Sequence, residues 1–142
     1  MIDDLYNTDI LTLSSSLRNE RLSSPDGTSR KVSKLCGSWV ELDVNVKDGK
    51  ACKAALRVQA CALGQASAAI LKENIIGATF SELIQARDSL RAMLKESGNP
   101  PAGRFEKLTL LKSVEAYPAR HASTLLAFEA AVDAFENAIE PE

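Results

Sequence analysis

The stretch Gln59-Ala60-Cys61-Ala62-Leu63-Gly64-Gln65-Ala66-Ser67-Ala68 decides how this chain is organised. Before it, apolar and polar residues alternate as they do in a β-strand, and after it small residues lead into Ile70 and Leu71, as in a closely packed helix. Cys61 is therefore predicted to lie where a strand gives way to a helix. The free N–H groups of a helix N-terminus favour negative charge, which suits a reactive or metal-binding sulfur. A small cysteine that fills a tight strand–helix contact is the structural alternative.

Length and composition describe an ordinary globular protein. Its 142 residues suffice for one domain with a core, and 45% hydrophobic and 25% charged residues are typical proportions. The formal net charge of −2 predicts no nucleic-acid partner and no acidic membrane surface. The N-terminus lacks the features of a signal peptide and no apolar run reaches the length of a membrane span, so we expect a cytoplasmic protein. Its three cysteines are then expected to be thiols or metal ligands rather than disulfides.

Hydrophobic periodicity predicts an α+β fold, in which a small three-stranded antiparallel sheet is covered by four to five helices. The predicted helices span residues 2–20, 62–76, 79–97 and 118–139, and a short helical or irregular piece covers 103–114. A first strand is predicted at 29–35, and alternating residues predict two more on either side of Asp48-Gly49. We expect one domain over 1–142, with an N-terminal helix in 1–22, the sheet in 28–62 and a helical part in 62–139.

The dipeptide Asp48-Gly49 predicts the turn of a β-hairpin. A two-residue loop would pair Lys47 with Lys50. If this register continued along both strands, their apolar side chains would lie on opposite faces of the hairpin. A three-residue loop with a bulge pairs Leu42 with Leu56 and matches the apolar faces. The apolar pattern therefore favours a bulged hairpin.

The hairpin also determines where the cysteines are expected. In either register Cys36 and Cys61 end on neighbouring strands at the same end of the sheet, and the bulged register sets Gly37 opposite Cys61. Opposed side chains on paired strands are close enough for both sulfurs to reach one metal ion. Cys52 shares the apolar face near the turn, so we expect it in the core, without chemistry.

Three further candidates precede or open the last predicted helix: Arg120, His121 and Ser123. Two cysteines with one nitrogen ligand would suit zinc or iron, and His121 is the only histidine of the chain. A surface or capping histidine is the alternative. Arg120 at a helix start either pairs with an acid or a thiolate, or is a solvated surface residue.

These residues together resemble a known family. Cys36-Gly37 after a short strand, the hairpin, Cys61 entering a helix, and Pro118 leading into Leu126-Ala127 are similar to the NifU/IscU-type iron–sulfur cluster assembly scaffolds over about residues 28–136. The run after Cys61 and the long insertion before the last helix are most similar to the SufU-type branch. The resemblance implies a scaffold rather than an enzyme, which receives sulfur as persulfide from a cysteine desulfurase and holds a nascent iron–sulfur cluster or a zinc ion.

The resemblance also assigns positions, and several depart from the family pattern. The first two family cysteines correspond to Cys36 and Cys61. The family aspartate after Cys-Gly is replaced by Ser38. Aligned without gaps on the last helix, the third cysteine corresponds to Ser123 and the histidine before it to Ala122. A neutral hydroxyl is a poor ligand for iron or zinc compared with a thiolate.

Two neighbours of the missing cysteine bear on the interpretation. Arg120 keeps the family's basic residue, whereas His121 is one residue out of register, about 100° of rotation on a helix. The leading hypothesis is a scaffold that uses Cys36 and Cys61 as ligands or sulfur acceptors. The alternatives are a degenerate scaffold that only binds partner proteins, and a zinc protein that adds His121 as a ligand. A homodimer in which two chains together supply four thiolates is a further alternative.

Overall fold

The computed structural model describes residues 7–34 and 37–139. The α+β prediction is confirmed, with a sheet of strand order β1-β2-β3 and antiparallel pairs. In chain order the elements are α1 (Thr8–Ser16), β1 (Gly27–Val32), β2 (Trp39–Lys47), β3 (Lys50–Gln59), α2 (Ala62–Asn74), α3 (Phe80–Lys95), two 3₁₀ helices (Gly103–Ala116 and Pro118–Arg120) and α4 (His121–Ile139). None of the helices in the described ranges is long and apolar enough to cross a membrane.

The first helix is shorter at its C-terminal end than the predicted span of 2–20. The side chain of Asn7 caps α1 by accepting a hydrogen bond from Ile10 N at 3.0 Å, and residues 1–6 lie outside the described part of the chain. The helix ends at Ser16, where three consecutive serine hydroxyls donate to carbonyls three residues back. Such local side-chain bonds compete with the helical ladder, which explains the early end.

The hairpin combines both of the registers considered above. Asp48 and Gly49 have φ angles of 55° and 75°, as a two-residue turn between Lys47 and Lys50 requires. A β-bulge then shifts the register between Asn45 and Val46, so that Leu42 lies opposite Leu56 as predicted. The bulge thus corrects the mismatch that the tight turn would otherwise carry along both strands.

The predicted burial of Cys52 is wrong. Between the bulge and the turn, the inward and outward positions of β3 are exchanged relative to the rest of the strand. Asn45 pairs with Lys53 and Val46 with Ala51, so Cys52 is the extra residue without a partner across the ladder. Ala51 takes the inward position at 1% exposure, while Cys52 is exposed and its Sγ lies 3.4 Å from Asn45 O. Cys52 is therefore a surface thiol near the hairpin turn.

Helix α4 forms the centre of the core, against β1, β2, α2 and α3. Phe128 and Phe135 on α4 are fully buried and contact the rings of Phe105 and Phe80, respectively. Gly27 on β1 brings the strand into backbone contact with this helix, since a Cβ there would lie only 2.0 Å from Ala134 O. The sheet and α4 are thus held at a separation that any larger residue would prevent.

A buried ion pair lies on the polar face of the sheet, opposite to the apolar face that packs against the core. Arg57 and Asp43 are 6% and 4% exposed, and the guanidinium donates to both carboxylate oxygens at 2.9 and 3.0 Å. Arg57 also donates to Glu20 O at 2.7 Å, and Leu22 N donates to the Asp43 carboxylate at 3.0 Å. The pair therefore fastens the segment that links α1 to β1 onto the sheet.

The environment of Asp43 shifts its ionisation. Burial alone raises the pKa of Asp43, but hydrogen bonds from Arg57, Leu22 and Thr28 outweigh it and hold the pKa below its ordinary value. A depressed carboxyl pKa stabilises the folded state above the pKa of the unfolded chain, and this contribution is lost as the pH falls through the folded value.

We expect Arg57→Met to lower the free energy of unfolding by about 3–5 kcal/mol at neutral pH, because it leaves the buried Asp43 carboxylate unpaired. The difference from the wild type should narrow as the pH falls from neutral through the depressed pKa of Asp43, below which that carboxylate is protonated. Urea unfolding across this pH range measures both effects. Lys53→Met, on an exposed strand position, is the control and should stay within about 0.5 kcal/mol. A difference that does not change with pH would contradict this role of Asp43.

Candidate functional site

Cys61 occupies the N-cap position of α2, two residues after β3 ends. The predicted switch from strand to helix at this residue is confirmed. Its backbone is extended, its carbonyl accepts the helical bond from Gln65 N at 3.0 Å, and its side chain makes no capping hydrogen bond. The half-buried sulfur is thus not used to satisfy the helix terminus.

Cys61 lines a cavity of about 260 Å³ where three parts of the chain meet. The connection from β1 to β2 contributes Gly37 and Ser38, the end of β3 contributes Gln59 and Ala60, and the residue before α4 contributes Arg120; together with Cys61 they form its lining. The cavity therefore contains the predicted supporting residues Ser38 and Arg120. Sequence reasoning missed Gln59 as a lining residue, although strand alternation sets it on the same face as Cys61.

The connection between β1 and β2 is tight on this side of the cavity. Gly37 adopts a φ of 74° and its N–H donates to Ser33 O at 2.8 Å, while Ser33 N donates to Ser38 O at 2.8 Å. Gly37 and Cys61, predicted to face each other, thus line one cavity. Cys36 lies outside the described residues, so its place next to Cys61 stays a prediction.

Ser123, which the resemblance aligns with the family's third cysteine, is 2% exposed and in contact with Cys61. Its Oγ lies 3.5 Å from Cys61 Sγ and 3.3 Å from Arg120 O. Gly64 permits this closeness, because a Cβ on it would lie 3.1 Å from Ser123 O and 2.8 Å from the Ala60 Cβ. The absence of a side chain at Gly64 lets the start of α2 lie against the start of α4.

His121 faces a different part of the structure. It is buried, and its Nε2 lies 3.0 Å from Val114 O and 3.2 Å from Glu115 O. Because carbonyl oxygens only accept, we assign the ring proton to Nε2, where it binds the last carbonyls of the long 3₁₀ helix. His121 does not line the cavity with Cys61. Within residues 7–34 and 37–139, no group of three or more His, Cys, Asp or Glu side chains is placed to hold a metal ion.

Comparison with known proteins identifies the family. No protein-family model matches the sequence. The crystal structure of the N-terminal part of a NifU-like protein from Brucella abortus has a TM-score of 0.96 to this chain, with 44% identical residues over 99% of both chains. The chain belongs to the NifU/IscU-type family.

Two further proteins agree with membership of the NifU/IscU-type family. The iron–sulfur cluster assembly scaffold protein IscU of Thermotoga maritima is 28% identical over 106 residues, which cover 75% of this chain and 74% of that protein. A candidate scaffold protein for the SUF system from Fervidobacterium islandicum has a TM-score of 0.85 at 20% identity, over 94% of this chain and 98% of that one, and shares the fold. The resemblance inferred from the sequence is thereby confirmed.

We expect Gly64→Ala to lower the free energy of unfolding by about 1–3 kcal/mol, because the added methyl group presses on Ser123 O and Ala60. Alanine is favoured over glycine inside helices by about 1 kcal/mol, so propensity alone predicts the opposite sign. Urea unfolding of Gly64→Ala and the wild type shows whether the steric effect or the helix propensity is larger.

Further variants complete this test. Glu73→Ala, on the exposed side of the same helix, removes only a surface ion pair with Lys107 and should change stability by less than about 1 kcal/mol. Adding Ala60→Gly to Gly64→Ala removes the nearer obstacle, so the loss in the double variant relative to Ala60→Gly alone measures the contact with Ser123. A Gly64→Ala protein more stable than wild type would show that α2 and α4 do not depend on this contact.

Proposed function

We propose that this protein is an iron–sulfur cluster assembly scaffold-like protein of one domain, which accepts sulfur or binds metal or a nascent cluster as cargo at Cys36 and Cys61. The observation that carries the proposal is the cavity in which Cys61 lies together with Gly37, the neighbour of Cys36, and with Arg120. Its membership of the NifU/IscU-type family supports this role. It acts as a carrier rather than as a turnover enzyme, in the reducing environment of the cytoplasm.

The donor set suits transient cargo better than stable storage. A [2Fe–2S] cluster is normally held by four thiolates, or by two thiolates and two histidines. Here Cys36 and Cys61 supply two thiolates, Ser123 replaces the third, and His121 Nε2 is bonded to backbone carbonyls. Two copies of the chain would together supply four thiolates, so a homodimer is the form in which a cluster would be retained.

The residues of this site are sufficient for accepting sulfur. A cysteine desulfurase of the same pathway would present a persulfide, R–S–SH, and the Cys61 thiolate would attack its outer sulfur. A new S–S bond forms at Cys61 as the S–S bond of the donor breaks, and the donor leaves as R–S⁻, so no electrons are gained or lost overall. Arg120 on the cavity wall provides positive charge near these anionic sulfurs.

A degenerate scaffold that binds partner proteins without holding a cluster is the second candidate. The observation that favours it is that the residue aligned with the missing ligand and the nearby histidine are both engaged with the backbone, Ser123 Oγ with Arg120 O and His121 Nε2 with Val114 O. In that case the surface around the cavity would dock other assembly proteins.

Anaerobic reconstitution with iron and sulfide, followed by size-exclusion chromatography and absorption spectroscopy, tests the donor-set account. We expect the wild-type monomer to hold little cluster, because two thiolates leave coordination positions open. Any retained cluster should elute with a dimer and disappear in Cys61→Ala. Ser123→Cys combined with Ala122→His should raise the cluster content of the monomer.

Cys52→Ser is the matched control, since it removes an exposed thiol near the hairpin turn and should leave cluster content unchanged. Metal analysis of the protein purified without added metal separates the candidates: iron supports the scaffold and about one zinc per chain supports the zinc protein. A wild-type monomer with a full, stable cluster would overturn the account of the two-thiolate donor set.

A further inference from the structure

The hydroxyl of Ser123 lies between two groups that compete for it. Its Oγ is 3.5 Å from Cys61 Sγ, where either atom can be the donor, and 3.3 Å from Arg120 O, which can only accept. A serine hydroxyl carries one hydrogen and two lone pairs. It can therefore donate to Arg120 O while accepting from the Cys61 thiol, or donate to the sulfur instead.

The carbonyl of Arg120 does not depend on Ser123. Thr124 Oγ1 donates to the same oxygen at 2.7 Å, which is a shorter and better hydrogen bond. If the Ser123 hydroxyl turns towards the sulfur, Arg120 O keeps a side-chain partner. Rotation of this one hydroxyl thus leaves the part-buried carbonyl of Arg120 with a side-chain donor, the loss of which would otherwise be costly.

The surroundings hold the Ser123 hydroxyl close to the sulfur. Ser123 and Thr124 are 2% and 0% exposed, so water competes little for their hydroxyl groups. The backbone of Ser123 is held against α2 because Gly64 leaves room for its carbonyl. The side chain of Cys61 has no capping bond that would fix its orientation in another way.

We propose that Ser123 is a positioning residue for Cys61. The Ser123 hydroxyl accepts a hydrogen bond from the Cys61 S–H group or, after rotation, donates one to the S⁻ form, and so keeps the sulfur oriented for transfer. The inference rests on the proposed function, because it concerns the orientation of the sulfur that receives cargo. It assigns to the serine a role other than that of a weak metal ligand. Held orientation accelerates a reaction by raising the population of the reactive arrangement.

The test is the rate of sulfur transfer from cysteine hydropersulfide to Cys61 at one fixed pH, followed by peptide mass spectrometry. Ser123→Ala should slow transfer to Cys61 by about three- to tenfold, the effect of losing one modest hydrogen bond. Ser123→Thr keeps a hydroxyl and should restore the rate to within about twofold. Transfer to Cys52, far along the hairpin, should not change.

Ser67→Ala provides the matched control. Ser67 is also a buried helical serine, but its Oγ has no hydrogen-bond partner, so its loss should not alter the rate. A spectroscopic signature complements the rates: with Cys36 and Cys52 replaced by serine, the S–H stretching band of Cys61 should shift to higher frequency in Ser123→Ala, because the thiol loses its acceptor. A merely structural role would not move this band.

The outcomes separate this inference from the proposed function. If wild-type Cys61 takes up no sulfur from the donor, the sulfur-accepting part of the proposed function fails. If wild type and Ser123→Ala take up sulfur at the same rate, or if Ser67→Ala is slowed as much as Ser123→Ala, the positioning role alone is overturned. An S–H band that is identical in both proteins would also overturn it.

Discussion

Helix α4 lies in backbone contact with strand β1 and with helix α2, because each contact point on these elements is a glycine without a side chain to separate the backbones. Gly27 admits the carbonyl of Ala134 and Gly64 admits that of Ser123. Close-packed interiors transmit such constraints, since a shift of one element requires its neighbours to move. The separation between α4 and the sheet, and that between α4 and α2, are consequently both fixed by main-chain contact.

The site follows from this constraint. β3 ends at Gln59 and α2 begins at Ala62, so Cys61 is held at the corner between them, and the close approach at Gly64 brings the start of α4 to that corner. Arg120, the residue before α4, and Ser123, in the first turn of α4, lie beside the cysteine only because the helix is fixed in this way. The chemistry that we propose thus depends on one thiol in a small cavity, with a cation on its wall and a hydroxyl against the sulfur.

Features determined by neighbouring residues along the chain could be predicted from the sequence. Strand alternation gave the pairing of Leu42 with Leu56, and Thr79 and Glu82 form the capping box that their spacing indicates. The position of Cys61 between strand and helix belongs to the same class. These features depend on periods of two and 3.6 residues and on local hydrogen bonds, which a sequence displays directly.

Features determined by distant parts of the chain could not be predicted from the sequence. The exposure of Cys52 depends on the position of a bulge, which the apolar pattern requires somewhere but does not locate. The burial of Asp43 depends on the segment containing Glu20 and Leu22, whose path across the sheet has no periodic signal. The direction of His121 depends on carbonyls at the end of a 3₁₀ helix.

The central claim is that Cys61 accepts sulfur, and the most direct measurement is its mass after incubation with a cysteine desulfurase and free cysteine under anaerobic conditions. The account predicts that the peptide containing Cys61 gains the mass of sulfur while the exposed thiol of Cys52 does not, and that Cys61→Ala removes the gain. A desulfurase that turns over while the Cys61 peptide stays unmodified, or is modified no more than the Cys52 peptide, would contradict it.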